Sequence, residues 1–137
     1  MRPKILIIDD EKTITDSLLR FLKFEGYDVD SINDPLYALK MIEDVNYMVV
    51  ICDISMPGKS GIELLGEIKA YNGMIQVIMI TGFVTMENIL SCLRLGASDC
   101  LFKPLDLDVL KEAMDQAVGK IVKWEKILKG LQKGRKN

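Results

Sequence analysis

The chain's 137 residues are about half apolar and carry a formal net charge of only −2, which fits one domain with a substantial core and excludes disorder. It contains no histidine, so it can hold no Ser-His or Cys-His machinery, no His-ligated zinc and no phosphohistidine. The charge is unevenly placed: from Lys120 onward seven Lys and Arg face one acid, while residues 1–119 hold eleven against nineteen, so the acidic body is a poor nucleic-acid surface.

Lys4-Ile5-Leu6-Ile7-Ile8, closed by Asp9-Asp10-Glu11, predicts a strand buried on both faces. Ile14, Leu18, Phe21, Leu22 and Glu25 then trace a helical stripe that Gly26 can cap. Tyr27 to Ile32 alternates at first, a weaker pattern that suits a sheet edge. Asn33 or Asp34 can cap a second helix, with Pro35 at its first position and Leu36, Leu39 and Ile42 on its buried stripe. Met48-Val49-Val50-Ile51-Cys52 is another wholly apolar run, ended by Asp53 and turned at Pro57-Gly58. Ser60 and Glu63 have capping-box spacing ahead of Ile62, Leu64, Leu65 and Ile68, and Gly73 ends that helix. Ile75 to Ile80 reads as a fourth strand, closed by Thr81-Gly82. Thr85 opens a helix through Met86, Ile89, Leu90 and Leu93 that Gly96 closes. Cys100-Leu101-Phe102 is a brief fifth strand before Lys103-Pro104, and Asp106 caps a long last helix. Strand and helix alternate five times with short connections, which predicts an α/β fold with a parallel sheet covered on both faces.

In the last helix Leu107, Leu110, Met114, Ala117, Ile121, Trp124, Leu128 and Leu131 alternate spacings of three and four, a heptad seam. The expected division is a body at 1–118 and a basic helical extension at 119–137, with Ile121, Trp124, Leu128 and Leu131 exposed and in need of a partner. A second copy or a neighbouring domain would cover them. Cys52, Cys92 and Cys100 lack metal-ligand spacing and read as reduced, small apolar residues. No apolar run approaches the ~20 residues that span a bilayer, and the start of the chain is too short for a signal peptide. A cytoplasmic location without membrane attachment is the expectation.

Asp9-Asp10, Asp53, Thr81 and Lys103 each close a strand. Parallel strands end on one side of a sheet, so the fold should gather them. Three clustered carboxylates repel one another and raise each other's pKa. A magnesium ion relieves that cost, as a hard cation that takes oxygen ligands. Lys103 adds a positive charge and Thr81 a hydroxyl donor. Such a site suits phosphoryl transfer to a carboxylate, with Asp53 as the nucleophile.

Ile7-Ile8-Asp9-Asp10-Glu11, Asp53-Ile54-Ser55-Met56-Pro57 with Gly61, Thr81-Gly82, Gly96-Ala97-Ser98-Asp99 and Lys103-Pro104 together carry a family likeness. From residue 4 to about 118 the chain resembles bacterial two-component response-regulator receiver domains, and its last helix resembles the linker of the nitrogen-regulatory activator type. The resemblance implies a flavodoxin-like, doubly wound sheet of order 2-1-3-4-5. It implies phosphorylation of Asp53 by a sensor histidine kinase, with magnesium held by Asp9, Asp10, Asp53 and the Ser55 backbone carbonyl. It also implies a switch at the fourth helix, fifth strand and fifth helix that governs a partner, a homodimer or a downstream domain. DNA would be reached only indirectly, through a domain absent from these residues. The family's aromatic three residues before the lysine is Cys100 here, so Phe83 or Phe102 is the candidate for part of its role. By this reading the protein is a signalling acceptor that catalyses only its own phosphoryl transfer and dephosphorylation. A phosphohydrolase would resemble Asp-x-Asp on the first strand with a cap insertion. A nucleotide or flavin module would need a Gly- or Ser/Thr-rich loop where Asp9-Asp10-Glu11 stands. A degenerate receiver would lack the acids, Thr81 or Lys103.

Overall fold

Five parallel strands, β1 (Lys4–Ile8), β2 (Asp28–Ile32), β3 (Val49–Asp53), β4 (Gln76–Thr81) and β5 (Asp99–Phe102), form one sheet in the order β2-β1-β3-β4-β5. This is the order the resemblance implied, with the weakly patterned β2 at an edge. The coordinates are a computed structural model that describes residues 3–135; Met1 and Arg2 of the opening segment and Lys136 and Asn137 of the basic tail lie outside the described residues. Five helices alternate with the strands: α1 (Lys12–Phe24), α2 (Ala38–Asp44), α3 (Gly61–Tyr71), α4 (Met86–Arg94) and α5 (Leu107–Arg135).

Strand side chains alternate between two cores. Ile5, Ile7, Val49, Ile51, Ile78 and Ile80 pack against α1 and α5 through Leu18, Leu22, Leu110, Met114 and Ala117. Leu6, Ile8, Val50, Cys52, Val77 and Met79 face α2, α3 and α4, meeting Ile42, Leu64, Leu65, Ile68 and Cys92. Every residue of β3 is buried. Each buried Val or Ile there contributes about 1.5–3 kcal/mol, so a polar residue is tolerated only where the strand ends, at Asp53. The register sets Ile8 beside Cys52, Asp53 beside Ile80 and Thr81 beside Phe102. The strand ends therefore finish nearly level on one edge of the sheet.

The local signals act as their chemistry dictates. Gly26 and Gly96 take φ of 91° and 85° just past α1 and α4, a conformation that side chains resist. The Ser60 hydroxyl accepts from the Ile62 amide at 3.2 Å, and that of Thr85 from Asn88 at 3.1 Å. Asp106 accepts from the Asp108 amide at 2.9 Å at the start of α5.

Some positions differ from the pattern. β4 and β5 lie one residue off the apolar runs, and α3 stops at Tyr71 with Asn72 as its C-cap. Leu36 is 62 % exposed, because Pro35–Tyr37 form a separate 3-10 turn capped by Asp34. That turn shifts the helical phase, and Ala38 and Ile42 become the buried pair of α2. In α4 the apolar run Met86, Leu90, Leu93 faces outward, and Cys92 is the buried residue. Ile121, expected to be exposed, is 4 % exposed and joins the α1–α5 core. The packing thus runs one turn past Val118, while Trp124, Leu128 and Leu131 remain open as expected. Among the described residues no helix is long and apolar enough to cross a membrane.

Candidate functional site

Asp9 follows β1, Asp53 ends β3, Thr81 ends β4 and Lys103 follows β5. The sheet therefore delivers all four to its carboxyl edge. Asp9 and Asp53 are almost wholly buried, at 0 % and 3 % exposure, while Asp10 is more open. One carboxylate oxygen from each of Asp9, Asp10 and Asp53 lies within 4.8 Å of the others. The Lys103 ammonium spans the pocket, 3.0 Å from Asp9 Oδ2, 3.2 Å from Asp53 Oδ2 and 3.7 Å from Glu11 Oε1. Its peptide bond to Pro104 is cis.

Backbone donors complete the cradle. The Glu11 amide donates to Asp9 Oδ1 at 2.9 Å, and the Ser55 amide to Asp53 Oδ1 at 3.3 Å. Ser55 thus enters the site through its N–H as well as through any use of its carbonyl. Thr81 is 1 % exposed, and its hydroxyl is occupied locally. It donates to the Phe83 carbonyl at 2.8 Å and accepts from the Phe83 amide at 3.1 Å. Phe83 itself is 71 % exposed and Phe102 52 %, so neither ring belongs to the core.

Burial, and then the charge of Asp9, push the Asp53 pKa above the usual carboxylate value; Lys103 and the Ser55 amide only partly oppose them. Burial would by itself lower Lys103, but its hydrogen bond to Asp9 and the charges of Asp53 and Asp9 raise it instead. The ammonium therefore stays charged, and the carboxylates carry more repulsion than one lysine relieves.

That surplus is what a divalent cation would neutralise. Asp9 Oδ2 is buried, and the ammonium beside it, Lys103 at 3.0 Å, is shared with Asp53 and Glu11. A buried carboxylate oxygen left with a share of one cation is incompletely compensated, and with two neighbouring carboxylates it forms an all-oxygen donor set suited to magnesium. The residues present fit the ion.

Two further residues support the site, the first of them harder to see in the sequence. Asn33 does not cap the turn that follows it. Its Nδ2 donates to the Asp9 carbonyl at 2.8 Å and to Thr15 Oγ1 at 3.0 Å, fixing the backbone that carries the acids. Its position just past β2 on the same sheet edge was the available signal. Gly61, at the start of α3, lies directly against the Asp53 carbonyl.

A family model, "Response regulator receiver domain", matches residues 5–115. The transcriptional regulatory protein ZraR of Klebsiella oxytoca is 36 % identical over 114 residues, covering 83 % of this chain and 26 % of that protein. The chain thus spans about a quarter of the length of this curated relative. A receiver domain protein from Clostridium thermocellum superposes with a TM-score of 0.83 at 31 % identity, covering 92 % of this chain and 98 % of that one. The beryllofluoride-activated NtrC4 receiver domain dimer gives 0.81 at 29 % identity, covering 86 % and 98 %.

Proposed function

The chain belongs to the response-regulator receiver family, and from that premise we propose that Asp53 accepts a phosphoryl group from a sensor histidine kinase. The observation that carries this reading is the Lys103 ammonium shared between two buried carboxylates, at 3.0 and 3.2 Å. Asp53 attacks the phosphorus of the kinase phosphohistidine, the N–P bond breaks, and an acyl phosphate forms on the carboxylate. The equatorial oxygens of the transferred group carry negative charge, and Lys103 stands ready to neutralise part of it. When magnesium is bound, Asp9, Asp10, Asp53 and the Ser55 carbonyl hold it, and it supplies the remaining positive charge. This domain catalyses only its own phosphorylation and dephosphorylation, and it works in the cytoplasm.

Thr81 links the chemistry to a change of shape. Its hydroxyl can turn its donation from the Phe83 carbonyl to a phosphoryl oxygen. That frees Phe83 and the short segment leading to Thr85, the cap of α4. The surface of α4, β5 and α5 then changes and governs a partner, a second copy or a neighbouring domain. Its exposed Leu93, Phe102 and Val109 offer apolar area for such a contact.

Incubation with acetyl phosphate and magnesium tests the chemistry. Intact mass should show one added phosphoryl group per chain, abolished by a chelator. No uptake, or repeated turnover of an unrelated phosphomonoester, would overturn the reading in favour of a phosphohydrolase.

The division at 1–118 and 119–137 remains part of the proposal. Because Ile121 is buried in the α1–α5 core, the shortened chain used to test the extension ends after Val122 and so keeps that packed turn. Trp124, Leu128 and Leu131 are 44–63 % exposed along one stripe of α5, and pairing with a second copy would cover them. Sedimentation should give a larger mass for the full chain than for a folded 1–122 chain. Two monomers would contradict this.

A further inference from the structure

β1 and β2 pair in register from Lys4 beside Asp28 to Ile8 beside Ile32, and the acids begin one residue beyond the last pair. The backbone ladder weakens there. The Asp9 amide reaches the Ile32 carbonyl at 3.3 Å, long for an N–H···O bond. The side chain of the next residue on β2's side takes over. Asn33 Nδ2 donates to the Asp9 carbonyl at 2.8 Å and to Thr15 Oγ1 at 3.0 Å. Thr15 is fully buried, and its hydroxyl donates in turn to the Lys12 carbonyl at 3.0 Å. Both Nδ2 hydrogens and the hydroxyl proton therefore have acceptors. One side-chain amide ties the end of β2 to the end of β1 and to the first turn of α1. The carbonyl it holds belongs to the peptide between Asp9 and Asp10. A peptide is planar, so fixing its oxygen fixes the direction in which Asp10 leaves it. The Asp9 carboxylate has its own supports, the Glu11 amide and the Lys103 ammonium. Asp10 is more open, and its placement falls to this backbone.

We propose that Asn33, seated on Thr15, is a positioning residue for magnesium: it holds the Asp9–Asp10 peptide in the orientation that sets both acids around the ion. This rests on the reading of Asp9, Asp10 and Asp53 as the magnesium site. Adjacent carboxylates repel one another, and a loosely held peptide would let Asp10 swing away. Binding the ion would then also have to order the acids, which weakens affinity. Once the ion saturates the site the acids are in place, and transfer to Asp53 proceeds as before. Asn33 therefore sets how much magnesium the site needs, not how fast the filled site reacts. Removing a partner behind a metal ligand weakens binding by about 10–100-fold. Asn33 holds a backbone oxygen rather than a ligating one, and it stands at the surface, where water can replace part of its bond. The effect belongs at the low end of that range. The same exposure means that its loss leaves both cores intact.

The test titrates the full chain with magnesium and follows the backbone amide resonances of residues 9–11 and 53. Asn33→Ala should raise the half-saturating magnesium concentration about tenfold. Thr15→Val keeps the packing but removes the hydroxyl, and should raise it by a smaller factor. Thr15→Ser keeps the hydroxyl and loses a methyl group. It should bind magnesium as wild type does, even where its thermal midpoint falls. Acetyl phosphate uptake should show the same displacement along the magnesium axis, and saturating magnesium should restore the wild-type rate. An unchanged half-saturation in Asn33→Ala would overturn the proposal, as would an uptake rate that saturating magnesium does not restore. Weaker magnesium binding by Thr15→Ser than by Thr15→Val would also overturn it, because packing and not the hydroxyl would then be what matters. Weaker binding by Asn33→Ala in a protein whose wild type takes up no phosphoryl group would support the proposal and count against the reading of Asp53.

Discussion

Gly61→Ala is expected to cost about 3 kcal/mol of stability or more and to disable the site with it. A Cβ on Gly61 would lie 1.9 Å from the Asp53 carbonyl oxygen and 2.8 Å from both Asp53 C and Ile54 Cα. All three are backbone atoms, so no flexible side chain can yield. The same backbone is held on both sides: the Gly61 amide donates to the Ile54 carbonyl at 2.8 Å, and the Ile54 amide to Ile80 at 2.9 Å. A methyl group must therefore push α3 or the 54–60 loop away, and Asp53 moves with its own carbonyl. Gly73→Ala is the control. Its Cβ meets nothing within 4 Å, so that change should stay within about 0.5 kcal/mol of wild type. Urea melts of the two variants check this, and matching midpoints would contradict it.

Lys103→Ala and Asp53→Asn are expected to move stability in opposite directions in metal-free solution. Removing Lys103 leaves Asp9 and Asp53 buried without their shared cation, a loss of about 3 kcal/mol by analogy with other broken buried pairs. Asp53→Asn removes one of two repelling charges while keeping the shape. The raised pKa of Asp53 means that its charged form is less favoured in the folded state than in the unfolded chain. The sign of the pH dependence follows. A folded pKa above the unfolded one gives stability that is present below the unfolded value and lost as pH rises through the folded value. The advantage of Asp53→Asn over wild type should thus shrink as pH falls below the folded pKa. Lys103→Ala should cost less in the Asp53→Asn background, because the ammonium then has one fewer carboxylate to satisfy. Thermal melts in a chelator, repeated with magnesium, read all of this. Magnesium should raise the wild-type midpoint more than that of Asp53→Asn. Asp53→Asn less stable than wild type in the chelator would contradict the account.

The strands were legible because a sheet covered on both faces demands unbroken apolar runs, and Ile5 to Ile8 and Val49 to Cys52 supply them. The acids were legible because a polar residue closing such a run can only sit at the sheet edge. The remainder depends on tertiary packing, which local patterns do not encode. The stripe Met86, Leu90, Leu93 is as amphipathic as any in the chain, yet α4 is anchored by Cys92, because its contact with the sheet is narrow. Ile121 looked surplus to the domain, but the core between α1 and α5 extends one turn further than the sheet requires. Asn33 had the composition of a cap, and only the pairing of β2 beside β1 shows that it braces Asp9 instead.

Location of the phosphoryl group tests the central claim most directly. After treatment with acetyl phosphate and magnesium, borohydride reduction converts an aspartyl phosphate to homoserine, which peptide sequencing by mass spectrometry can place. The account predicts homoserine at position 53 and at no other acid. Homoserine at Asp9 or Asp10, or a phosphoryl group that resists borohydride because it sits on a hydroxyl, would contradict it.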